Sequence, residues 1–327
     1  MNLSRPSLRS TSSGILRIGP GLKRLLGNLR NSLLRPRIGE SHRPLRAASP
    51  DLGLTFIGHA GFLLELGGQR LLIDPNFANW LVIVKRLREP GIELPDLPPI
   101  DWVLITHAHM DHLNRPSLRR IVGETLSRSG SAPGIILPRN TVDLVEDLGF
   151  REAVELDWWE THQIGELAIT HTPARHWGAR MLHDTQRGFG GYAIEGAGHS
   201  LYHSGDTAYF DGFKEIGKRL APHIALLPIG AYSPESFRNV HASPEDALRG
   251  FQDLGADIMV PMHYGTFRLS EEPFEEPVPR LVSAARQLGI ADRIRVLEEG
   301  KTAFFHPMVG EAPLAQYSPS SLDPCFQ

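Results

Sequence analysis

The stretch 101–112 places a short apolar run directly before a dense group of side chains that can bind metal ions. The run Trp-Val-Leu-Ile predicts a buried strand, and the pattern His-x-His-x-Asp-His follows it at His107, His109, Asp111 and His112. Successive side chains of an extended segment alternate between faces, so His107 and His109 should point to the same side. Neutral imidazole and carboxylate are ligands that suit zinc and its neighbours. The spacing therefore predicts a metal site at the end of a strand.

A helix should begin soon after this motif. Asn114 is a candidate N-cap, and Pro116 lies in the first turn of a helix predicted over 115–127. Asp111 and His112 would then lie on the turn between the strand and the helix. The alternative is a chance grouping of ordinary histidines, but three histidines and an aspartate directly behind an apolar strand favour the metal site.

Composition indicates a globular protein with a basic N-terminal arm. Residues 1–50 carry ten Lys and Arg side chains against Glu40, a net charge of +9, which leaves −12 for the rest of a chain whose net charge is −3. An acidic body argues against nucleic-acid binding. No apolar run approaches the roughly 20 residues that a membrane-spanning helix needs. The single cysteine, Cys325, excludes an intrachain disulfide and suits a cytoplasmic location.

Within the arm, apolar residues recur at helical spacing and basic residues lie between them. The apolar positions are Leu22, Leu25, Leu26, Leu29 and Leu33. They predict a short basic amphipathic helix in an arm that is otherwise disordered. This helix could lie on an anionic bilayer and make the protein membrane-associated. The alternatives are packing on the body or on a second subunit, as in a homo-oligomer, or a mostly disordered tail.

Hydrophobic patterning predicts one folded domain over 51–308 and a loose tail over 309–327. The predicted strands cover 52–58, 62–66, 70–75, 102–105, 134–138, 152–160, 166–172, 190–195, 223–232, 257–267 and 293–297, with another beginning at 201, and the predicted helices cover 115–127, 141–148, 244–254 and 280–288. The long loop over 76–99 is a weak candidate for contact with a substrate.

Several motifs carry a resemblance to known proteins. His-x-His-x-Asp-His is similar to the signature of the metallo-β-lactamase superfamily. His-Trp-x-x-Arg from His176, Pro-Ile-Gly-Ala-Tyr from Pro228, His-x-x-Pro-Glu-x-Ala from His241 and His-Tyr-Gly-Thr-Phe from His263 resemble, more narrowly, the N-acylphosphatidylethanolamine-hydrolysing phospholipase D family. Tyr264 stands where that family usually has Trp. The resemblance covers about residues 51–305 and implies an α+β fold, a four-layer αββα sandwich with the site at one edge.

The resemblance also implies a ligand set for two metal ions. One ion would take His107, His109 and His176, the other would take Asp111, His112 and His263, and Asp206 would bridge them. His171 competes with His176, which is favoured because it lies beyond the strand end in a loop. Zinc is the default for such ligands, and Mn²⁺ or Fe²⁺ bind similar sets.

Other residues near these motifs have two interpretations each. Asp111 and His241 are the candidate catalytic residues; His241 would bind the reacting oxygen or protonate the leaving group, or it is simply a hydrogen-bonded loop histidine. His59 either approaches the metal site or hydrogen-bonds within its own turn. His203 is expected to pack beside the site.

The implied activity is metal-dependent hydrolysis by a binuclear site. Two such ions lower the pKa of bound water toward about 7 and supply hydroxide. By resemblance, the substrate would be a phosphodiester in an N-acylphosphatidylethanolamine-like phospholipid, cleaved to release phosphatidic acid. A lactonase-like enzyme or a hydrolase of small esters or phosphodiesters is the alternative. The complete ligand set argues against a non-catalytic binding scaffold.

Overall fold

The computed structural model describes residues 27, 36–48, 51–181 and 184–307. The predicted helix of the arm and the predicted loose tail lie outside the described residues. The strands are β1 (Leu52–Gly58), β2 (Gly61–Leu66), β3 (Gln69–Ile73), β4 (Trp80–Leu81), β5 (Val84–Lys85), β6 (Trp102–Leu104), β7 (Gly134–Pro138), β8 (Glu152–Leu156), β9 (Thr161–Ile164), β10 (Leu167–Thr172), β11 (Gly191–Gly196), β12 (His199–His203), β13 (Ile224–Pro228), β14 (Ile258–Met262) and β15 (Thr302–Phe305). The α-helices are α1 (Arg115–Ser129), α2 (Gly212–Leu220), α3 (Pro244–Leu254) and α4 (Pro277–Gln287). Short 3-10 helices cover Leu94–Asp96, Val142–Leu144, Glu146–Leu148, Glu235–Asn239 and Ala291–Arg293.

In the part of the chain that the structure describes, the long strands form two sheets. The first has the strand order β15-β1-β2-β3-β6-β7-β8, and the second has the order β14-β13-β12-β11-β10-β9. Strands β3, β6, β7 and β8 run parallel to one another in the first sheet, and β12, β13 and β14 do so in the second. Because parallel strands end at the same edge of a sheet, the loops that follow them gather there.

The strands alternate between two apolar environments. In β1, Leu54 and Phe56 face the second sheet, whereas Ile57 faces the layer that contains α1. In β13, Leu226 lies between the sheets, and Leu227 faces the layer that contains α2, α3 and α4. This period of two buries both faces of each sheet. The result is the predicted αββα sandwich.

Two helix caps place the loops that precede them. The Asn114 side chain accepts a hydrogen bond from the Ser117 amide over 3.0 Å and begins α1, as predicted. Ser243 and Asp246 form a reciprocal capping box at the start of α3. Each cap contributes about 1 kcal/mol. They fix the chain direction directly after the His-x-His-x-Asp-His motif and directly after His241.

One predicted helix near the first sheet had the wrong type, and one predicted strand of that sheet had the wrong end. The helix over 141–148 is instead a pair of 3-10 turns, because the Glu155 carboxylate accepts from the backbone amides of Thr141 and Val142, each over 2.7 Å. The strand over 152–160 ends at Leu156, where the chain leaves the first sheet and enters the second through β9.

The predicted strand over 293–297 was also wrong. Ile294 makes one isolated parallel bridge to Met259, and the final strand is β15, which pairs antiparallel with β1. The helix α2 and the strand β9 were not predicted.

Residues 36–48 run in extended form along the body. Ile38 exchanges backbone hydrogen bonds with the segment 87–89, and the Ala47 amide donates to Glu65 over 3.2 Å. The boundary at residue 51 stays a prediction. None of the described helices is long and apolar enough to cross a membrane.

Candidate metal centre

The candidate ligands lie on loops at one edge of the two sheets. His107, His109, Asp111 and His112 follow β6, His176 follows β10, Asp206 follows β12 and His263 follows β14. His59 lies in the β1–β2 turn, and His241 lies immediately upstream of α3. Sheet topology therefore brings together residues separated by as many as 204 positions, the distance along the chain between His59 and His263.

Three histidines form the first cluster. Nε2 of His107 lies 2.9 Å from Nδ1 of His109, and Nε2 of His176 lies 3.3 Å from the same Nδ1. Their facing nitrogens all lie within 4.8 Å of one another. This is the group that the resemblance implied for one ion. His171 is not part of it: its ring is buried against Tyr192, with ring centroids 5.2 Å apart.

The second cluster contains Asp111, His112, His263 and also His59. Oδ2 of Asp111 lies 3.6 Å from Nε2 of His112 and 3.6 Å from Nε2 of His263. The same oxygen lies 2.9 Å from Nε2 of His59. Of the two interpretations of His59, the structure has the one in which it reaches the site.

Asp206 lies between the clusters. Its Oδ1 is 3.4 Å from Nε2 of His112, and its Oδ2 is 3.1 Å from Nε2 of His263. Oδ2 is also 3.9 Å from Nε2 of His176 and 4.0 Å from Nε2 of His107. One carboxylate thus faces imidazoles of both groups, which is the geometry expected of a bridging ligand.

Hydrogen bonds on the outer side of three imidazoles set their tautomers. Nδ1 of His112 donates to Asp74 over 2.7 Å, and Nδ1 of His176 donates to the Val240 carbonyl over 2.8 Å. The Thr106 hydroxyl donates to Asp74 over 2.6 Å, so its oxygen accepts from Nδ1 of His107 over 3.0 Å. Each ring therefore directs Nε2 into the cluster. This arrangement is typical of metal-ligating histidines. Against the effect of burial, the carboxylates around His112 raise its pKa well above 6.5, so a bound cation would take the place of the proton on its Nε2.

The inward-facing atoms fit a bound cation. In the portion of the chain that the structure describes, Nε2 of His112, Nε2 of His263 and Oδ1 of Asp206 are buried and make no hydrogen bond. Buried polar atoms without partners are costly, and metal coordination would remove that cost. Neutral imidazoles and ionised carboxylates are also the donor set that zinc, manganese and iron take.

The electrostatics keep both carboxylates ionised. Burial opposes the charge of Asp206, but His263 and His112 outweigh burial and hold its pKa well below the usual value. The pKa of Asp111 is lowered in the same way, chiefly by His112. Burial, helped by neighbouring histidines, lowers the pKa of His107 well below its usual range and that of His176 to about 3; it also lowers the pKa of His109. The first cluster is therefore neutral at pH 7, as ligands must be.

His241 lies at the rim of the site. Its Nδ1 is 3.7 Å from Oδ2 of Asp206, and its ring stacks on His263 with centroids 5.5 Å apart. Burial lowers its pKa to about 4. A neutral imidazole at this position can accept a proton or donate a hydrogen bond. The structure thus brings His241 to the site, whereas its catalytic role stays a prediction.

His203 supports the site from behind, as expected. Its Nε2 donates to the Ala60 carbonyl over 3.0 Å, and its Nδ1 accepts from the Gly205 amide over 3.1 Å. Both ring nitrogens are used, so His203 is not available as a ligand.

Sequence reasoning missed two residues that support the ligands. Asp74, at the end of β3, accepts hydrogen bonds from His112 and from both the amide and the hydroxyl of Thr106. Arg180 donates from one Nη1 atom to the carbonyls of Ala108 and Leu113, each over 2.8 Å. The signal for Asp74 was an acidic residue at the end of a strand next to β6, and the signal for Arg180 was its place in His-Trp-x-x-Arg.

Comparison with known families agrees with this geometry. A family model described as a beta-lactamase superfamily domain matches residues 69–264, which include all the candidate ligands except His59. The chain belongs to the metallo-β-lactamase superfamily. It is a metal-dependent hydrolase of the metallo-β-lactamase fold, with the His and Asp clusters described above as its candidate metal site.

Two relatives within the superfamily differ in what their names state. A UPF0173 metal-dependent hydrolase from Rubrobacter xylanophilus is 31% identical over 256 residues, 76% of this chain and 94% of that protein. A mitochondrial N-acyl-phosphatidylethanolamine-hydrolyzing phospholipase D from Saccharomyces cerevisiae is 33% identical over 265 residues, 77% of this chain and 55% of that protein. The sequence identity to a relative that is named for a lipid substrate is therefore about the same as the identity to a relative whose name states no substrate.

A solved structure of a metallo hydrolase supports the fold. Igni18, a metallo hydrolase from the archaeon Ignicoccus hospitalis, superimposes with a TM-score of 0.60 at 28% identity, covering 78% of this chain and 99% of that one.

Proposed function

We propose that the protein is a binuclear metal-dependent phosphodiesterase that acts on N-acylphosphatidylethanolamine-like phospholipids. The observation that carries the proposal is Asp206, whose two oxygens face imidazoles of both clusters at 3.1–4.0 Å. His107, His109 and His176 would hold one ion, and Asp111, His112 and His263 would hold the other. Zn²⁺ is the first candidate, with Mn²⁺ and Fe²⁺ as alternatives.

Bound ions of this kind lower the pKa of water and neutralise charge on a reacting phosphoryl oxygen. The chain's own groups would then orient the ligands and the substrate and handle the proton. Asp111, held by the 2.9 Å contact with His59, fixes the second cluster against the sheet edge. His241 is neutral near pH 7 because burial lowers its pKa, so it can hydrogen-bond the reacting oxygen. It could protonate the leaving group only with a proton that it had first accepted from the attacking water.

Three features support a phospholipid as the substrate. The relative from yeast is named for hydrolysis of such a lipid. Trp177 lies beside His109, with ring centroids 4.7 Å apart, and 49% of it is exposed, so an apolar surface borders the cluster. The basic arm, with a net charge of +9, offers peripheral contact with anionic membranes.

A second candidate is a hydrolase of small, soluble esters or phosphodiesters. The length of the match favours this second candidate, since the chain matches 94% of the Rubrobacter protein but 55% of the yeast phospholipase D. Lactones and soluble phosphodiesters are the substrates to test.

The deciding experiment is a headgroup-release assay with purified, metal-loaded protein. Release of phosphatidic acid from N-acylphosphatidylethanolamine, lost in Asp206→Asn, is the expected result. Turnover of lactones or soluble diesters without phospholipid turnover would replace the proposal with the second candidate. Elemental analysis of the same samples measures which ion is bound and how many.

A further inference from the structure

The ribbon formed by β4 and β5 has an unusually apolar tip. Its sequence from Trp80 to Val84 is Trp-Leu-Val-Ile-Val, and a two-residue turn at Val82 and Ile83 joins the strands. The side chain at the tip, Val82, is 77% exposed, and Trp80 is 40% exposed. Two-residue hairpin turns in water normally carry Asn, Asp or Gly. The composition of this turn therefore fits an apolar environment better than water.

Backbone conformation points in the same direction. Val82 has a φ of +53°, the left-handed region, where a β-branched residue is rare. Glycine or asparagine would relieve this strain and improve hydration of the turn. Strained residues persist where another requirement outweighs the cost. An exposed, strained valine between Leu81 and Ile83 indicates that the requirement here is an apolar side chain.

The base of the ribbon is tied to the metal centre. The backbone amide of Arg86 donates to the Asn79 carbonyl over 2.9 Å, and its Nε donates to the Ala78 carbonyl over 3.0 Å. A few residues upstream, Asn76 donates from its side chain to the Asp111 carbonyl over 2.9 Å. The ribbon thus projects from the same edge of the sandwich as the candidate ligands.

The base of the ribbon also receives the basic arm. Arg37 donates to the Asn79 side chain over 2.7 Å, one residue before Trp80. Ile38 then pairs with Arg88 in a parallel bridge. The described part of the arm therefore meets the body beside the ribbon, at Arg37 and Ile38.

We propose that the tip of the β4–β5 ribbon inserts into the headgroup region of an anionic lipid bilayer and that the basic arm supplies the electrostatic attraction. One weak apolar anchor gives marginal membrane binding, and stable binding takes a second signal such as a polybasic segment. The chain carries both signals, and the arm is attached to the body beside the ribbon. The inference rests on the proposed phospholipid activity for its purpose, since insertion would bring the metal centre to the bilayer surface.

Vesicle binding by tip variants tests the inference. Val82→Asp and Trp80→Ser remove the apolar anchor, and Leu288→Asp is a matched control because Leu288 is 51% exposed just beyond α4, on the outer layer of the other sheet. All are made in the full chain carrying His109→Ala, so that lipid turnover cannot alter the vesicles. Partition is measured by co-sedimentation with phosphatidylcholine vesicles that contain phosphatidylserine, at low and high salt.

We expect Val82→Asp to weaken partition about tenfold or more and Leu288→Asp to leave it unchanged. Parent binding should fall when salt is raised or phosphatidylserine is omitted. Unchanged partition of both tip variants would overturn the inference. So would a parent dimer that the tip variants convert to monomer in sedimentation velocity while vesicle binding stays the same, because the tip would then bind a second copy of the chain.

Turnover by the metal-loaded chain with His109 intact separates this inference from the proposed function. Vesicle binding that depends on the tip, together with absence of phospholipid turnover by that chain, would reject the proposed substrate and keep the membrane surface. Turnover of detergent-solubilised phospholipid by a chain that does not bind vesicles would keep the proposed substrate and reject the membrane surface. Equal melting temperatures of the tip and control variants show that folding does not cause the difference.

Discussion

Oδ2 of Asp74 lies 2.7 Å from Nδ1 of His112 and accepts a hydrogen bond from it. The same carboxylate accepts from the Thr106 amide over 2.8 Å, so it joins the strand before the motif to a ligand inside it. Asp74→Asn would remove the negative charge and replace one accepting oxygen by an NH2 group that can only donate. Since outer partners of ligating histidines typically contribute 10- to 100-fold to metal affinity, we expect a loss of roughly that size, measured by competition with a chromophoric chelator.

A surface carboxylate provides the control for this variant. Asp147 pairs with Arg115 and Arg119 on the solvent side of α1, away from the ligands. Asp147→Asn should bind metal like the parent. Equal affinity of Asp74→Asn and the parent would show that the Asp74–His112 contact does not tune the site.

His109→Ala should lose metal and turnover while the fold stays largely intact. His109 presents one nitrogen to both His107 and His176, so its removal opens the first cluster. The loss of metal affinity should exceed the roughly 10- to 100-fold typical of an outer partner. Elemental analysis and circular dichroism measure the two expectations. Chelation of the parent should reproduce the loss of turnover, and unchanged turnover in His109→Ala would refute the assignment.

Arg180 should act as a positioning residue. Its Nη1 binds the carbonyls at both ends of the turn that carries His109, Asp111 and His112. We expect Arg180→Met to weaken metal binding roughly tenfold and to change the visible spectrum of the Co²⁺-loaded protein, with partial rescue by Arg180→Lys.

The matched control for this variant is Arg187→Met. Arg187 lies on the same connection, but it pairs with Asp143 and Asp184 rather than with the ligand loop. It should lower stability without changing the Co²⁺ spectrum. Identical spectra for Arg180→Met and the parent would leave Arg180 with a purely structural role.

His171 should make stability depend on pH. Burial lowers its pKa from 6.5 to about 4, so the unfolded chain binds this proton before the folded one does. The stability that His171 contributes is complete above pH 6.5 and is lost as pH falls toward 4. A shift of this size corresponds to about 3 kcal/mol. In urea unfolding, the free energy of unfolding of His171→Leu should therefore rise relative to that of the parent as pH falls from 7 to 4.5. A difference in unfolding free energy that does not change with pH would contradict the assignment.

The meander, the parallel strands and the capped helices were predictable because each has a local signature. The start of α3 could be predicted from the N-cap Ser243, the first-turn Pro244 and the capping-box partner Asp246. The two sheets were harder, because nothing between Leu156 and Thr161 marks the crossing from one sheet to the other except a turn. The β15 partner of β1 depends on a pairing across the whole domain, which no local pattern encodes.

The ligands were predictable to the extent that motifs carried them. His-x-His-x-Asp-His stands out in any chain, whereas Asp206 and His263 gained meaning only from their order along the sequence. Asp74 was not predicted to support the site because a lone aspartate at a strand end is common. Its role depends on β3 lying next to β6, with Ile73 opposite Leu104, which is a fact of tertiary structure.

The pairing of Leu52 with Phe305 has a consequence for synthesis of the protein. During translation, β1 emerges long before its outer partner, so one apolar edge of the first sheet stays uncovered until the ribosome has passed residue 305. Uncovered strand edges invite pairing with other chains. Nascent chains arrested before Thr302 should therefore be more sensitive to protease and more prone to aggregate than chains arrested after the last strand has left the exit tunnel.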